Sequence, residues 1–192
     1  MKTFELKGQL RSDIGTKSAR QLRREDQVPC VLYGGEQPLH FSVDNRDVKE
    51  LVYTPHVYFV QIEVDGKQVM AVLKDLQFHP VTDRLLHLDF QQVFDDKAVR
   101  MAVPVEITGN SVGVRNGGKL VVNTRKLMVA ALPKDMPDTV AIDISKLEIG
   151  DSFRIRDINA NKVEFLENPA IVVAAVRMTR SARSAQAAAA EA

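Results

Sequence analysis

The 192-residue sequence has no tryptophan, three tyrosines and a single cysteine, Cys30. A lone thiol cannot close an internal disulfide, so the fold must rest on burial and hydrogen bonding, and a reducing compartment suits it. Long apolar runs are also missing; none approaches the roughly 20 residues that span a bilayer. The opening stretch MKTFELKGQLRSD carries charges throughout and lacks the apolar segment of a secretory signal. These absences point to a cytoplasmic protein with no membrane partner. Net charge is scarce as well: 26 Lys and Arg stand against 25 Asp and Glu, leaving +1. That balance excludes a uniformly basic nucleic-acid coat, so any contact with a polyanion must be a local patch.

Catalytic signatures are equally thin. There is no Ser/His/Asp set, no paired cysteine ligands and no dinucleotide fingerprint. The glycine-rich GVRNGGK at 113–119 is followed by Leu120, where a phosphate loop requires Ser or Thr, and it reads as a turn between strands. Cys30 sits in an apolar segment and reads as a core residue. The expectation is a protein that is not an enzyme, with no cofactor, no resident metal and no small-molecule substrate.

What is present is a β pattern. The chain is 45% hydrophobic, ordinary for a packed core. Phe4, Leu6 and Leu10 alternate with Glu5, Lys7 and Gln9, predicting a half-buried strand. Thr16 is placed to cap a short helix ending near Arg24. VPCVLYGG predicts a strand stopped by two glycines, and PLHFSV its neighbour. DNRDVKELVY predicts a helix capped by Asp44, with Asp47 at its positive end and Val48, Leu51 and Val52 on one face. Asp65-Gly66 marks a type I′ hairpin between VYFVQIEV and KQVMAVLKDLQF, and HPVTDR a second turn leading into LLHLDF.

After Phe94 helical periodicity fades. Strands are predicted over RMAVPVEI, KLVVNTRKLMVAAL, TVAIDI and AIVVAAV, separated by Gly, Pro, Asn and Asp turns. The fold class expected is mainly β with a few helices: a barrel-like N-terminal domain over 1–94, a second β domain over 95–178, and a disordered tail over 179–192. The tail segment RMTRSAR spaces Arg177, Arg180 and Arg183 three apart.

Two constellations carry candidate chemistry. The first is GTKSARQLRRED, where Lys17, Arg20, Arg23 and Arg24 precede the first acid, Glu25. On a helix Lys17, Arg20 and Arg24 share one side, with Ala19 and Leu22 elsewhere, and no acid within the helix lies four residues away to neutralise them. Arg11 and Ser18 join this group, and Tyr33 closes the strand that follows. Arginine offers a planar fork for phosphate or a base edge, and a tyrosine ring can stack on a splayed base. A solvated helix face is the plain alternative.

The second lies in KDLQFHPVTDRLLHLDFQQ. Strand alternation puts Gln77 and His79 on one face, and His87 and Asp89 on the matching face of the next strand. Leu86, Leu88 and Phe90 then turn to the core. Four polar side chains converge on an outward surface, supplying donors and acceptors suited to nucleic-acid edges and 2′-hydroxyls. The competing reading makes His79, His87 and Asp89 three ligands of a metal-dependent enzyme. His40 and His56 have no part in either.

The order of Arg11, GTKSARQLRRED, VPCVLYGG and QFHPVTDRLLHLDF resembles the bacterial large-subunit ribosomal protein family that binds 5S rRNA. VPVEITGNSVGVRNGGKL, LPKDMPDTVAIDISKLEIGDS and IVVAAV resemble the added domain of its long form, also called general stress protein CTC. The resemblance covers the chain to about residue 178. It implies a β-barrel that grips the loop E region of 5S rRNA in the cytoplasmic ribosome, with neighbouring ribosomal proteins and rRNA as further partners. It also implies RNA-binding roles for Arg11, Arg24, Tyr33, His87 and Asp89, supported by Gln77 and His79. A third reading is a stress-linked module whose second domain binds a protein through the turns at 110–118.

Overall fold

In the computed structural model of the protein, residues 2–35, 37–159 and 162–180 are described below. The architecture is mainly β, as expected. One compact unit holds the chain through Met101 together with Leu132–Asp138; the other holds Ala102–Ala131 and the chain from Thr139 onward.

The first unit is built on β1 (Lys2–Leu10), β2 (Gln27–Tyr33), β3 (Leu39–Asp44), β4 (Tyr58–Val64), β5 (Lys67–Phe78) and β6 (Leu85–Gln92). They form a closed barrel in the order β1-β3-β2-β6-β5-β4. Most neighbours are antiparallel, but β1 closes on β4 in parallel, from Lys2 opposite Tyr58 to Gly8 opposite Val64. β2 and β6 are also parallel, with Val31 opposite Asp89. Closure removes free sheet edges, and alternate residues fill the interior. Leu6, Val28, Cys30, Leu32, Phe41, Ile62, Leu88 and Phe90 are buried there. The rings of Phe41 and Phe90 meet at 5.9 Å, a contact worth about 0.5–1.5 kcal/mol beyond area burial.

Several local expectations hold. Asp65 and Gly66 both have positive φ, 49° and 76°, as a type I′ turn requires. Gly34 ends β2 at φ 100°. Others need correction. Leu10 is exposed, and the inward position before it belongs to Gly8. A Cβ there would lie 2.5 Å from Cδ2 of Phe41. Helix α1 (Thr16–Arg24) is capped by Gly15, in extended backbone with φ 175°, and not by Thr16, which is its first residue. The second helix, α2 (Lys49–Tyr53), is shorter than predicted. Asp44 ends β3, and its Oδ1 accepts the Arg46 N–H at 2.8 Å, which holds a turn over residues 45–48. Val48 and Leu51 are nevertheless buried against the barrel core.

The remaining strands are β7 (Val99–Thr108), β8 (Lys119–Val122), β9 (Lys126–Ala131), β10 (Val140–Asp143), β11 (Ser152–Arg154), β12 (Glu164–Phe165) and β13 (Val172–Arg177). They form a four-stranded sheet in the order β10-β7-β9-β12 and a three-stranded sheet in the order β11-β13-β8. KLVVNTRKLMVAAL is therefore two strands in two sheets, broken where the N–H groups of Asn123 and Thr124 both donate to the Val173 carbonyl. The turn expected at 113–119 contains one turn of helix, α3 (Val112–Arg115), whose first orphan N–H groups are met by Ser111 Oγ accepting from Val114. A short 3₁₀ turn spans Ile155–Asp157. Of the predicted tail, residues 181–192, with Arg183, lie outside the described residues; Thr179 is held, its Oγ1 donating to the Gly117 carbonyl at 2.7 Å. No helix among the described residues is long and apolar enough to cross a membrane.

Candidate nucleic-acid interface

The basic segment forms a helix with two distinct sides. Ser18, Ala19, Leu22 and Arg23 are half-buried, while Lys17, Arg20 and Arg24 face solvent. None of those three exposed cations has an ion-pair partner among the described residues. The helix carries no acid in its first turn, and Arg23 and Arg24 lie in its last, where the dipole favours cations.

Arg11 and Arg23 behave differently from the exposed group. The Arg11 Nη2 donates to the Asp13 carbonyl at 3.2 Å and to Ser18 Oγ at 3.5 Å, while Ser18 Oγ donates to the same carbonyl at 3.2 Å. Arg11 and Ser18 thus shape the loop that enters α1. Arg11 Nε is buried without a hydrogen-bond partner. Arg23 Nε donates to the Leu86 carbonyl at 3.0 Å. That bond fastens α1 beside β6, next to the strand residues of the second constellation.

On the sheet, Gln77 lies directly opposite His87, and Asp75 directly opposite Asp89. Register shifts interrupt the ladder between Leu73 and Asp75 and between Gln77 and Phe78. Such bulges re-aim side chains. Leu88 and Phe90 face the core as expected, and Leu86 is half-buried. Tyr33, at the end of β2 opposite Gln91, belongs to the same neighbourhood. Partial burial first, and then the carboxylates of Asp89 and Asp75, hold its hydroxyl above the ordinary tyrosine range.

His87 Nδ1 lies 2.7 Å from Asp89 Oδ1, with side chains 23% and 33% exposed. A contact this short puts the proton on Nδ1, which leaves Nε2 as an acceptor in the neutral ring. His79 does not join that face. β5 ends at Phe78, and the His79 Nδ1 accepts the N–H groups of Val81 and Thr82, each at 3.3 Å. Its ring stabilises its own turn. The metal reading of His79, His87 and Asp89 fails for the same reason. Among the described residues no three His, Cys, Asp or Glu side chains are grouped to hold an ion.

Sequence reasoning missed two parts of the site. Asp75 follows from the alternation that placed Gln77, extended two residues back. The other is a cleft of about 80 Å³ between the end of α1 and the 79–84 turn, lined by Arg23, Gln27, Asn45, His79, Thr82 and Arg84 among others. The Arg23–Leu86 tether joins the helix to the strand that follows that turn, and no local signal encodes it.

Geometry of this kind defines a two-unit β protein whose barrel pairs a cationic helix with a polar strand face. Residues 6–90 match the family model described as Ribosomal L25p family, and residues 98–180 match that of Ribosomal protein TL5, C-terminal domain. A protein of Phocaeicola vulgatus named large ribosomal subunit protein bL25 is 43% identical over 194 residues, covering 97% of this chain and 98% of the relative. Proteins of the same name from Amoebophilus asiaticus and Porphyromonas gingivalis are 44% and 43% identical, covering 96% of this chain and 94% and 97% of theirs. The chain belongs to the ribosomal L25p family, in the form that carries a TL5-type C-terminal domain. It is not an enzyme.

Proposed function

We propose that this protein is a structural component of the large ribosomal subunit, in the cytoplasm, and that it binds 5S rRNA in the loop E region through its barrel. The ribosomal part of this reading is supported by relatives named large ribosomal subunit protein bL25 over nearly their full length. The single observation that carries the RNA site is the Arg23–Leu86 tether, which sets α1 beside the strand bearing His87 and Asp89.

Lys17, Arg20 and Arg24 supply attraction and register on phosphates, which carry no sequence information. His87 Nε2, the free edge of Asp89, Gln77 and Tyr33 supply selectivity. A regular A-form major groove is too narrow for side chains to read, so such a face suits an irregular helix. Arg11, Ser18, Arg23 and His79 hold the surface in shape, with remaining guanidinium donors of Arg11 and Arg23 available to RNA. Residues 1–94 bear this activity, and the second compact unit adjoins other rRNA or ribosomal proteins in the assembly.

The deciding experiment measures affinity for a 5S rRNA fragment containing loop E and for a regular duplex of equal length, across a salt series. The expected result is strong preference for loop E, with a log–log slope of about −3 to −5. Equal binding to both RNAs refutes the selective role of the strand face.

A further inference from the structure

We infer that the second unit carries its own RNA-backbone contact, formed by Lys119 and Arg177 with Arg115 and Arg180 beside them. β8 and β13 run antiparallel with Arg177 directly opposite Lys119. Opposed side chains on such a pair have Cβ atoms about 4.5–5.5 Å apart, and like charges in that position are destabilising. Both residues are exposed, and neither side chain has a hydrogen-bond or ion-pair partner among the described residues. The fold thus holds an unrelieved repulsion at the end of this sheet.

Two more cations gather at that end. Arg115 is the last residue of α3, and the chain turns tightly from there into β8, with Gly118 N–H donating to the Gly113 carbonyl at 2.8 Å. A Cβ on Gly118 would meet that carbonyl oxygen at 2.7 Å, so the turn accepts only glycine. The Thr179–Gly117 hydrogen bond ties the segment after β13 to the same turn, and Arg180 follows at once. The turn on the β11 side, over 148–151, brings in Glu148 and Asp151; Asp151 Oδ2 accepts the Glu148 N–H at 2.9 Å, and among the described residues neither carboxylate forms an ion pair with Lys119 or Arg177.

A phosphodiester backbone relieves this arrangement, because it places closely spaced negative charges against Lys and Arg and releases counterions. Lysine is depleted at protein–protein interfaces, which favours nucleic acid over an acidic protein. That the nucleic acid is RNA rests on the ribosomal reading above. The two sites are in different units and are separable by mutation.

The test uses the full chain and a regular RNA duplex without loop E, in wild type, Arg20→Ala/Arg24→Ala, Lys119→Glu and the combined variant. In the Arg20→Ala/Arg24→Ala background, Lys119→Glu is expected to lower duplex affinity about tenfold and flatten the log–log salt slope by about one to two. Its thermal midpoint should hold or rise, since the reversed charge now pairs with Arg177. Should it instead melt lower, Lys119→Ala/Arg177→Ala is scored by the same loss of affinity. Unchanged duplex affinity overturns the inference. So does Lys119-dependent binding of a polyglutamate peptide without any Lys119 effect on RNA. Loss of loop E preference on changing Arg20 and Arg24 is read separately and bears only on the barrel site.

Discussion

His87 Nδ1 and Asp89 Oδ1 lie 2.7 Å apart on one face of a single strand, two residues from one another. Asp89 in this position fixes which ring nitrogen of His87 holds the proton. A histidine free to exchange tautomers would present a donor or an acceptor to RNA at random, and part of any binding energy would be spent on choosing.

Asp89→Asn is therefore expected to weaken loop E binding more than a single surface contact would. A hydrogen bond to a charged group contributes about 1.5–3 kcal/mol, so a loss of roughly tenfold to a hundredfold in affinity is the expected range. Thermal stability should change little, because both side chains are partly exposed. Titration of the variant against the loop E fragment checks this. Wild-type affinity in Asp89→Asn shows that the pair is only a surface ion pair.

Much of this site is legible in the sequence, because its parts are local. Alternation placed His87 and Asp89 together, and helical spacing placed Lys17, Arg20 and Arg24 on one exposed side. His79 departs from the alternation because the register shifts between Gln77 and Phe78, the last residue of β5, and such a shift leaves no reliable mark in sequence. The parallel closure of β1 on β4 joins segments about 55 residues apart, so only tertiary packing determines it. The predicted ten-residue helix shrank for a local reason: the Asp44 carboxylate bonds the backbone two residues on, a turn that competes with helix.

Arg23 and Arg24 are neighbours with different expected phenotypes. Arg24 is exposed and unpaired among the described residues, so Arg24→Glu should weaken RNA binding by about 1–3 kcal/mol and leave unfolding unchanged. Arg23→Ala removes the bond to the Leu86 carbonyl and frees the helix from β6, so it should lower stability by about 1 kcal/mol and affinity as well. Urea unfolding with RNA titration on both variants separates the roles. If Arg23→Ala left stability intact while Arg24→Glu reduced it, the assignment would be reversed.

Cys30 gives a prediction about alkaline pH. Its thiol is fully buried, and desolvation pushes its ionisation far above the ordinary value of 9.0, outweighing the nearby Arg11. In the unfolded chain the thiol ionises near its ordinary value. The folded state therefore holds the proton longer, and its stability contribution is complete below about pH 9 and declines above it. The expected slope from this one group is about 1.4 kcal/mol per pH unit. Cys30→Ala should remove that component of the alkaline decline, and the wild-type thiol should resist alkylating reagents until the protein is unfolded. A thiol modified at the same rate in native and denatured protein contradicts the burial.

Gly8 has the most demanding position in the barrel. It occupies an inward site on β1 opposite Val64, where a methyl group would stand 2.5 Å from Cδ2 of Phe41 and 3.1 Å from Val64 Cγ2. Phe41 has no room to retreat, since it is fully buried and packed on Phe90. The added carbon must then shift β1 against β3 and β4, at the seam where the barrel closes. Overpacking of this kind costs about 1–3 kcal/mol. Gly8→Ala should lower the unfolding free energy by that amount, read as a lower urea midpoint at unchanged slope, since the unfolded surface is almost the same. Replacing Phe41 by leucine in the same chain should recover part of the loss, because the clash is with the ring. If Gly8→Ala were as stable as wild type, β1 would have to close the barrel with a slack that its packing against Phe41 does not leave.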